Sequence, residues 1–254
     1  MSIKIEQKVP YKWFFNSVRG VFSLLTCTYV CLIFSFHSSF FTPALKDEKG
    51  VPTFYHGFIV SVQPLFYVMG TFAVGYVINK LPKRVFISIS FLGCAIAIAI
   101  MGPSHFLGLP NLLWILIVGQ ALQGAALGFV FIPILPEMID SVYVKQGLVE
   151  GDDEHVDAVI SDKAAGLYGS FYSIGMIISP LAGSLVYEHF KKEDSTNAFN
   201  KTCDVFAALT LAYTIVYFLF NVLPDINKDK EQQRAMSIIH SGGSVNSRED
   251  MSYY

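Results

Sequence analysis

Six stretches of this chain contain no Asp, Glu, Lys or Arg: residues 20–45, 58–78, 85–101, 112–135, 164–187 and 205–223. They hold 131 of the 254 residues, so all 38 charged side chains fall in the other 123. A bilayer imposes this kind of segregation. About 20 apolar residues at 1.5 Å rise cross a hydrocarbon core of about 30 Å, and a helix satisfies its own backbone polar groups there. The expectation is an all-α membrane protein with a six-helix transmembrane domain over 20–223. A cytosolic segment 1–19 precedes it, and a Ser-rich tail 224–254, with too little apolar content to fold, follows as a disordered cytosolic end. The third span, 17 residues long, is short, and Lys83 and Arg84 at its start can snorkel to the headgroups.

Composition excludes several classes. Only 15% of residues are charged and 53% are hydrophobic, whereas soluble chains are about a quarter charged. A net charge of −2 offers no basic field, so nucleic acid is not an expected partner; the lipid bilayer is. Cys27, Cys31, Cys94 and Cys203 lie in or beside apolar stretches without metal or redox spacing and read as free thiols. No small-residue cleavage site follows the first apolar run, so no cleaved signal peptide is expected. Neither a Gly-rich phosphate loop, a His/Glu zinc spacing nor a Gly-x-Ser-x-Gly elbow occurs, and no enzyme activity, metal or cofactor is expected.

Orientation follows from the basic residues. One set of connections carries 13 Lys and Arg and the other carries five: Lys46, Lys49, Lys191, Lys192 and Lys201. The richer side should be cytosolic, which puts both termini there. The sequon Asn200-Lys201-Thr202 falls on the poorer side, making Asn200 a glycosylation candidate. Connections 46–57, 79–84, 102–111 and 188–204 are short, whereas the acidic stretch 141–163 reads as a solvated loop with a short helix.

Within the spans, small residues recur every fourth position: Gly124 and Gly128, Gly166 and Ser170, then Gly175, Ser179 and Gly183. Such ridges let helices approach closely in lipid, and plain packing is the preferred reading. Pro64, Pro133, Pro136 and Pro180 are expected to interrupt helices and free carbonyls. His37, Gln63, Gln120 and Gln123, with Tyr168 and Tyr172, are the polar candidates for a substrate or proton pathway. Interhelical hydrogen bonding competes with that role for His37, Gln120 and Gln123. Glu137 and Asp140, three apart at the end of the fourth span, can gate or carry protons at the cytosolic mouth, or simply be a hydrated helix end.

Three stretches taken together resemble the major facilitator superfamily. The connection Gly75-Tyr-Val-Ile-Asn79-Lys80-Leu-Pro82-Lys83-Arg84 is similar to that family's conformational loop, with Asn79 for an Asp and Pro82 for a Gly. The fourth span through Pro136-Glu137, together with Ala165-Gly166-Leu-Tyr-Gly-Ser and Ile178-Ser179-Pro180-Leu-Ala-Gly183, resembles the C-terminal half of vesicular amine carriers, the polyamine branch most of all. The resemblance implies a six-helix half of a twelve-helix fold, completed by a missing N-terminal half or a second copy, with the chain itself a fragment or truncated gene product. It implies alternating access and proton-coupled transport of a small organic solute of cationic type, in vesicular or plasma membrane. Monoamine carriers place carboxylates at positions aligned with Gly128 and Gly169, so a coupling carboxylate is expected at Glu137 or outside this half. The alternative reading is a non-transporting membrane adaptor that packs against a partner carrier.

Overall fold

The computed structural model describes residues 9–78, 81–103 and 108–224. Among them every regular element is helical. A short α1 (Lys12–Phe15) leads into α2 (Val18–Ser35), and a short α3 (Phe41–Asp47) precedes α4 (Thr53–Val77). Then come α5 (Lys83–Met101), α6 (Leu113–Gln146), α7 (Glu154–Glu193) and α8 (Ala198–Tyr217), which continues as a π-turn over Phe218–Val222. Among the described residues six helices are long and apolar enough to cross a membrane: α2, α4, α5, α6, α7 and α8 with its π-turn. The tail after Pro224, and Asn79 and Lys80 of the conformational loop, lie outside the described residues.

Helix α6 is the axis of the bundle, with α4, α5 and α2 against it; α7 packs on α2, and α8 closes against α5 and α7. Its burial follows from its small and apolar faces, with Leu116, Leu127, Val130, Ile134 and Met138 all enclosed. The four cysteines are buried free thiols. Helices α4 and α7 are the exceptions to enclosure. Only 22% and 17% of their apolar segments are buried, against 39% or more in the other four.

Three expectations need correction. The apolar run 20–45 is not one helix. It ends at Ser35, passes through turns at 36–40 and resumes as α3. Ser35, His37, Ser38 and Ser39 crowd this segment, and short polar side chains compete with the helix for its backbone; Ser35 Oγ donates to Ser38 Oγ, for example. The prolines, by contrast, do not end the helices: Pro64 lies within α4, Pro133 and Pro136 within α6, and Pro180 within α7, each still withholding one N–H from the preceding turn.

The acidic stretch 141–163 is mostly helix, with only 147–153 outside it. Ser141, Val142 and Tyr143 continue the buried face of α6, and Gly147, at φ +65°, ends it in the left-handed conformation that glycine adopts without strain. Asp153 then caps α7, accepting from His155 N and Val156 N, while Glu154 and Asp157 favour the positive end of the helix dipole.

Candidate functional site: a broken helix, a tyrosine patch and an ionic clasp

Ending α2 at Ser35 strips its last carbonyls of helical partners, and in lipid such groups must be bonded elsewhere. Three neighbouring helices supply the donors. Gln63 of α4 donates to Phe34 O at 3.1 Å, Gln123 of α6 to Ile33 O at 2.7 Å, and Ser179 of α7 to Leu32 O at 2.7 Å. Gln63 and Gln123 are therefore joined to the structure of the broken helix. Gln120, one turn before Gln123, is fully buried with neither amide atom bonded, and His37, in the turn itself, is buried between the rings of Phe36 and Phe41 with its Nδ1 unpartnered.

Below the break, Tyr168 and Tyr172 stack along α7 with ring centroids 6.5 Å apart. Tyr67 of α4 joins them, because Phe131 of α6 packs edge-on against Tyr67 at 5.7 Å and tilted against Tyr172 at 6.2 Å. Phe34 of α2 backs Phe131 and Tyr67, each at 6.0 Å. The three tyrosines are half-buried, on the two helices that are least enclosed. Such a surface offers aromatic faces for a cation and hydroxyls for hydrogen bonds. Tyr67 escaped the sequence reading although it stands four residues after Gln63, on the same helix face.

At the end of the bundle nearest the N-terminus, two motifs that are distant in sequence meet. Glu137, 1% exposed, takes two hydrogen bonds from the Arg19 guanidinium, including Nη2 to Oε2 at 2.9 Å, and lies 3.4 Å from Arg84 Nε. Lys83 donates to Asp140 at 2.6 Å. The clasp thus ties α2, α5 and α6 together. Lys83, Arg84, Glu137 and Asp140 were singled out separately; Arg19 counted only toward orientation, because nothing local links position 19 to position 137.

The small-residue ridges divide. A Cβ on Gly124 would lie 2.2 Å from Gln63 O, and one on Gly183 would lie 1.8 Å from Phe36 O, so helices touch backbone to backbone there. Gly128 abuts α4, and Gly175 abuts α2. Gly166, Gly169 and Gly75, in contrast, face open space, and Ser170 is exposed, which corrects the packing expected at Gly166. Pro180 O accepts from Ser39 Oγ at 3.2 Å. Asn200 sits in the first turn of α8, 8% exposed, with Lys49 Nζ bonded to its Oδ1 at 3.0 Å.

The opposite end of the bundle is held by a different set. Both oxygens of Glu48 accept from Phe199 N, at 3.2 and 3.1 Å, at the start of α8, and Lys49 donates to Asn111 as well as to Asn200. Burial pushes the Glu48 carboxyl above its ordinary range, partly opposed by the Phe199 amide, and pulls the Lys49 ammonium below its own. The half-buried Asp194 carboxyl is held well below the usual range by hydrogen bonds from Thr196 and Asn197.

Comparison with known proteins agrees with this architecture. The chain is 24% identical over 146 residues to the MFS-type transporter SLC18B1 of Rattus norvegicus, and 25% identical over 147 residues to that of Homo sapiens. These alignments take in 57% and 56% of this chain but only 30% of each relative, so the chain spans about a third of the length of the curated relatives it matches. The model of the Major Facilitator Superfamily matches residues 23–241. With six membrane-crossing helices and a match over most of its length, the chain belongs to the Major Facilitator Superfamily.

Proposed function

We propose that this chain moves a small organic cation across a membrane by alternating access in exchange for protons, with both termini cytosolic, in a vesicular or plasma membrane. The observation that carries the reading is the half-buried patch of Tyr67, Tyr168 and Tyr172 on the least enclosed helices, backed by Phe34 and Phe131. A cation over such rings gains about 1–2 kcal/mol when desolvated. The clasp at Glu137 supplies the gate, since α2, α5 and α6 cannot separate at that end without breaking it. His37, buried and with a ring nitrogen unbonded, is the proton-carrying candidate. The open faces of α4 and α7 are where a second six-helix unit, a missing N-terminal half or another copy, would complete the pathway.

The test is pH-gradient-driven uptake of labelled mono- and polyamines by the reconstituted full chain. Tyr172→Ala is expected to raise KM about tenfold with little change in kcat, since it removes one cation contact. Glu137→Gln should lower kcat, and His37→Ala should uncouple uptake from the gradient. The same open faces of α4 and α7 also suit a non-transporting adaptor, which would show no flux under any gradient while co-purifying with a carrier.

A further inference from the structure

At the clasp end, a cavity of about 480 Å³ opens beside the Glu137 cluster. Arg19, Arg84 and Lys145 line it, and among the described residues no carboxylate does. Its floor includes the start of α2, through Asn16, Ser17 and Val18. The first amides of an 18-residue helix have no intrahelical acceptor, and the Ser17 side chain takes only that of Gly20. Their N–H groups and the helix dipole favour negative charge.

A second, independent feature points the same way. Asn221 lines the cavity, is 3% exposed, and its Nδ2 has no hydrogen-bond acceptor. It sits in the π-turn Phe218–Val222, where the backbone widens by a residue per turn and Asn221 O is held by Arg84 Nη1 at 3.1 Å. A buried amide donor without an acceptor is costly unless something bonds it. Lys145, exposed at the rim, pairs with no carboxylate among the described residues. The two arginines are bonded elsewhere, to Glu137 among others, and contribute positive charge to the wall rather than the holding donors.

We propose that this cavity is a binding site for a phosphate group, presented by a lipid headgroup or as a free phosphate ion, held by Lys145, the Asn221 amide and the start of α2. The neighbouring Phe220 and Val144 give the site one apolar wall, which accommodates the carbon skeleton beside the phosphate. Occupancy would brace α2, α6 and the end of α8 together, next to the clasp. This assignment does not depend on what the protein transports.

Calorimetric titration of the full chain in detergent, with inorganic phosphate in one arm and dioctanoyl phosphatidylinositol 4-phosphate in the other, tests it. Dioctanoyl phosphatidylcholine serves as the zwitterionic control. Saturable binding of inorganic phosphate identifies a free-ion site, and saturable binding of the phosphoinositide alone identifies a headgroup site; either supports the assignment. Lys145→Glu and Asn221→Leu should each weaken binding about tenfold, the loss of one charged hydrogen bond, with Lys145→Arg close to wild type. Lys145 is exposed, so its substitution leaves the fold intact and keeps the test valid even where Asn221→Leu disturbs α8. No saturable binding in either arm, or equal affinity in wild type and Lys145→Glu, overturns the proposal.

Discussion

The two ends of the bundle are tied by different chemistry. At the N-terminal end, a buried carboxylate is shared by two guanidinium groups, and the partners come from three helices. At the opposite end, the half-buried ties are the Glu48 carboxylate on backbone amide of the first turn of α8 and Lys49 on amide oxygens, while the ion pairs Lys191–Asp47 and Lys201–Asp194 lie toward solvent. Charge paired with charge is costly to break from one side, whereas burial only partly opposed by hydrogen bonds lifts the Glu48 carboxyl toward protonation. The first end should therefore be a firm clasp that opens as a unit. The second should answer gradually to pH.

The sharpest way to break this comparison is Glu137→Gln, which leaves Arg19 and Arg84 without their shared counter-ion. A loss of about 3 kcal/mol is expected from denaturant unfolding in mixed micelles. Next is the contact between α2 and α7. Gly183→Ala should cost about 2 kcal/mol in the same assay, because its Cβ meets the Phe36 carbonyl, while Gly166→Ala should stay within about 0.5 kcal/mol. Equal effects at the two glycines would remove the distinction between the packed and open stretches of α7. Gln63→Leu and Gln123→Leu should each cost about 1–2 kcal/mol, since each leaves an α2 carbonyl unbonded, and infrared amide bands should report the freed carbonyl.

The smallest effect is at the pH-responsive end. The folded Glu48 carboxyl holds its proton to a higher pH than in the unfolded chain, so its ionisation at neutral pH opposes folding. That opposition fades as pH falls through the folded value. Glu48→Gln should thus melt slightly above wild type at pH 7 and match it below about pH 4. Asp194 behaves oppositely: its depressed value means its contribution is present above the unfolded carboxylate range and is lost on acidification through the folded one. Asp194→Asn should consequently show its deficit at pH 7 and lose it in acid.

Much of the fold was legible because membrane-crossing segments must lack charge along their whole length, a pattern that needs no partner to be seen. The break in α2 was hidden by the same rule. Residues 20–45 read as uniformly uncharged, and only the clustering of Ser35, His37, Ser38 and Ser39 hinted that the helix would stop. Gln120 and Gln123 were visible as one helix face. That Gln123 would cap Ile33 while Gln120 stayed unbonded depended on where α2 lay against α6. The ionic clasp was half visible, since Glu137 with Asp140 and Lys83 with Arg84 stood out as local pairs, but their union with Arg19 joins residues 118 positions apart.

By itself, the order of residues determined the number of crossings and the alternation of charge between the two sets of connections, because each depends on transfer of a short segment into hydrocarbon. The tertiary structure decided which polar groups are structural and which remain available. A buried glutamine, a half-buried tyrosine and a glycine in a ridge acquire a role only from what lies across the interface, and that neighbour belongs to another helix.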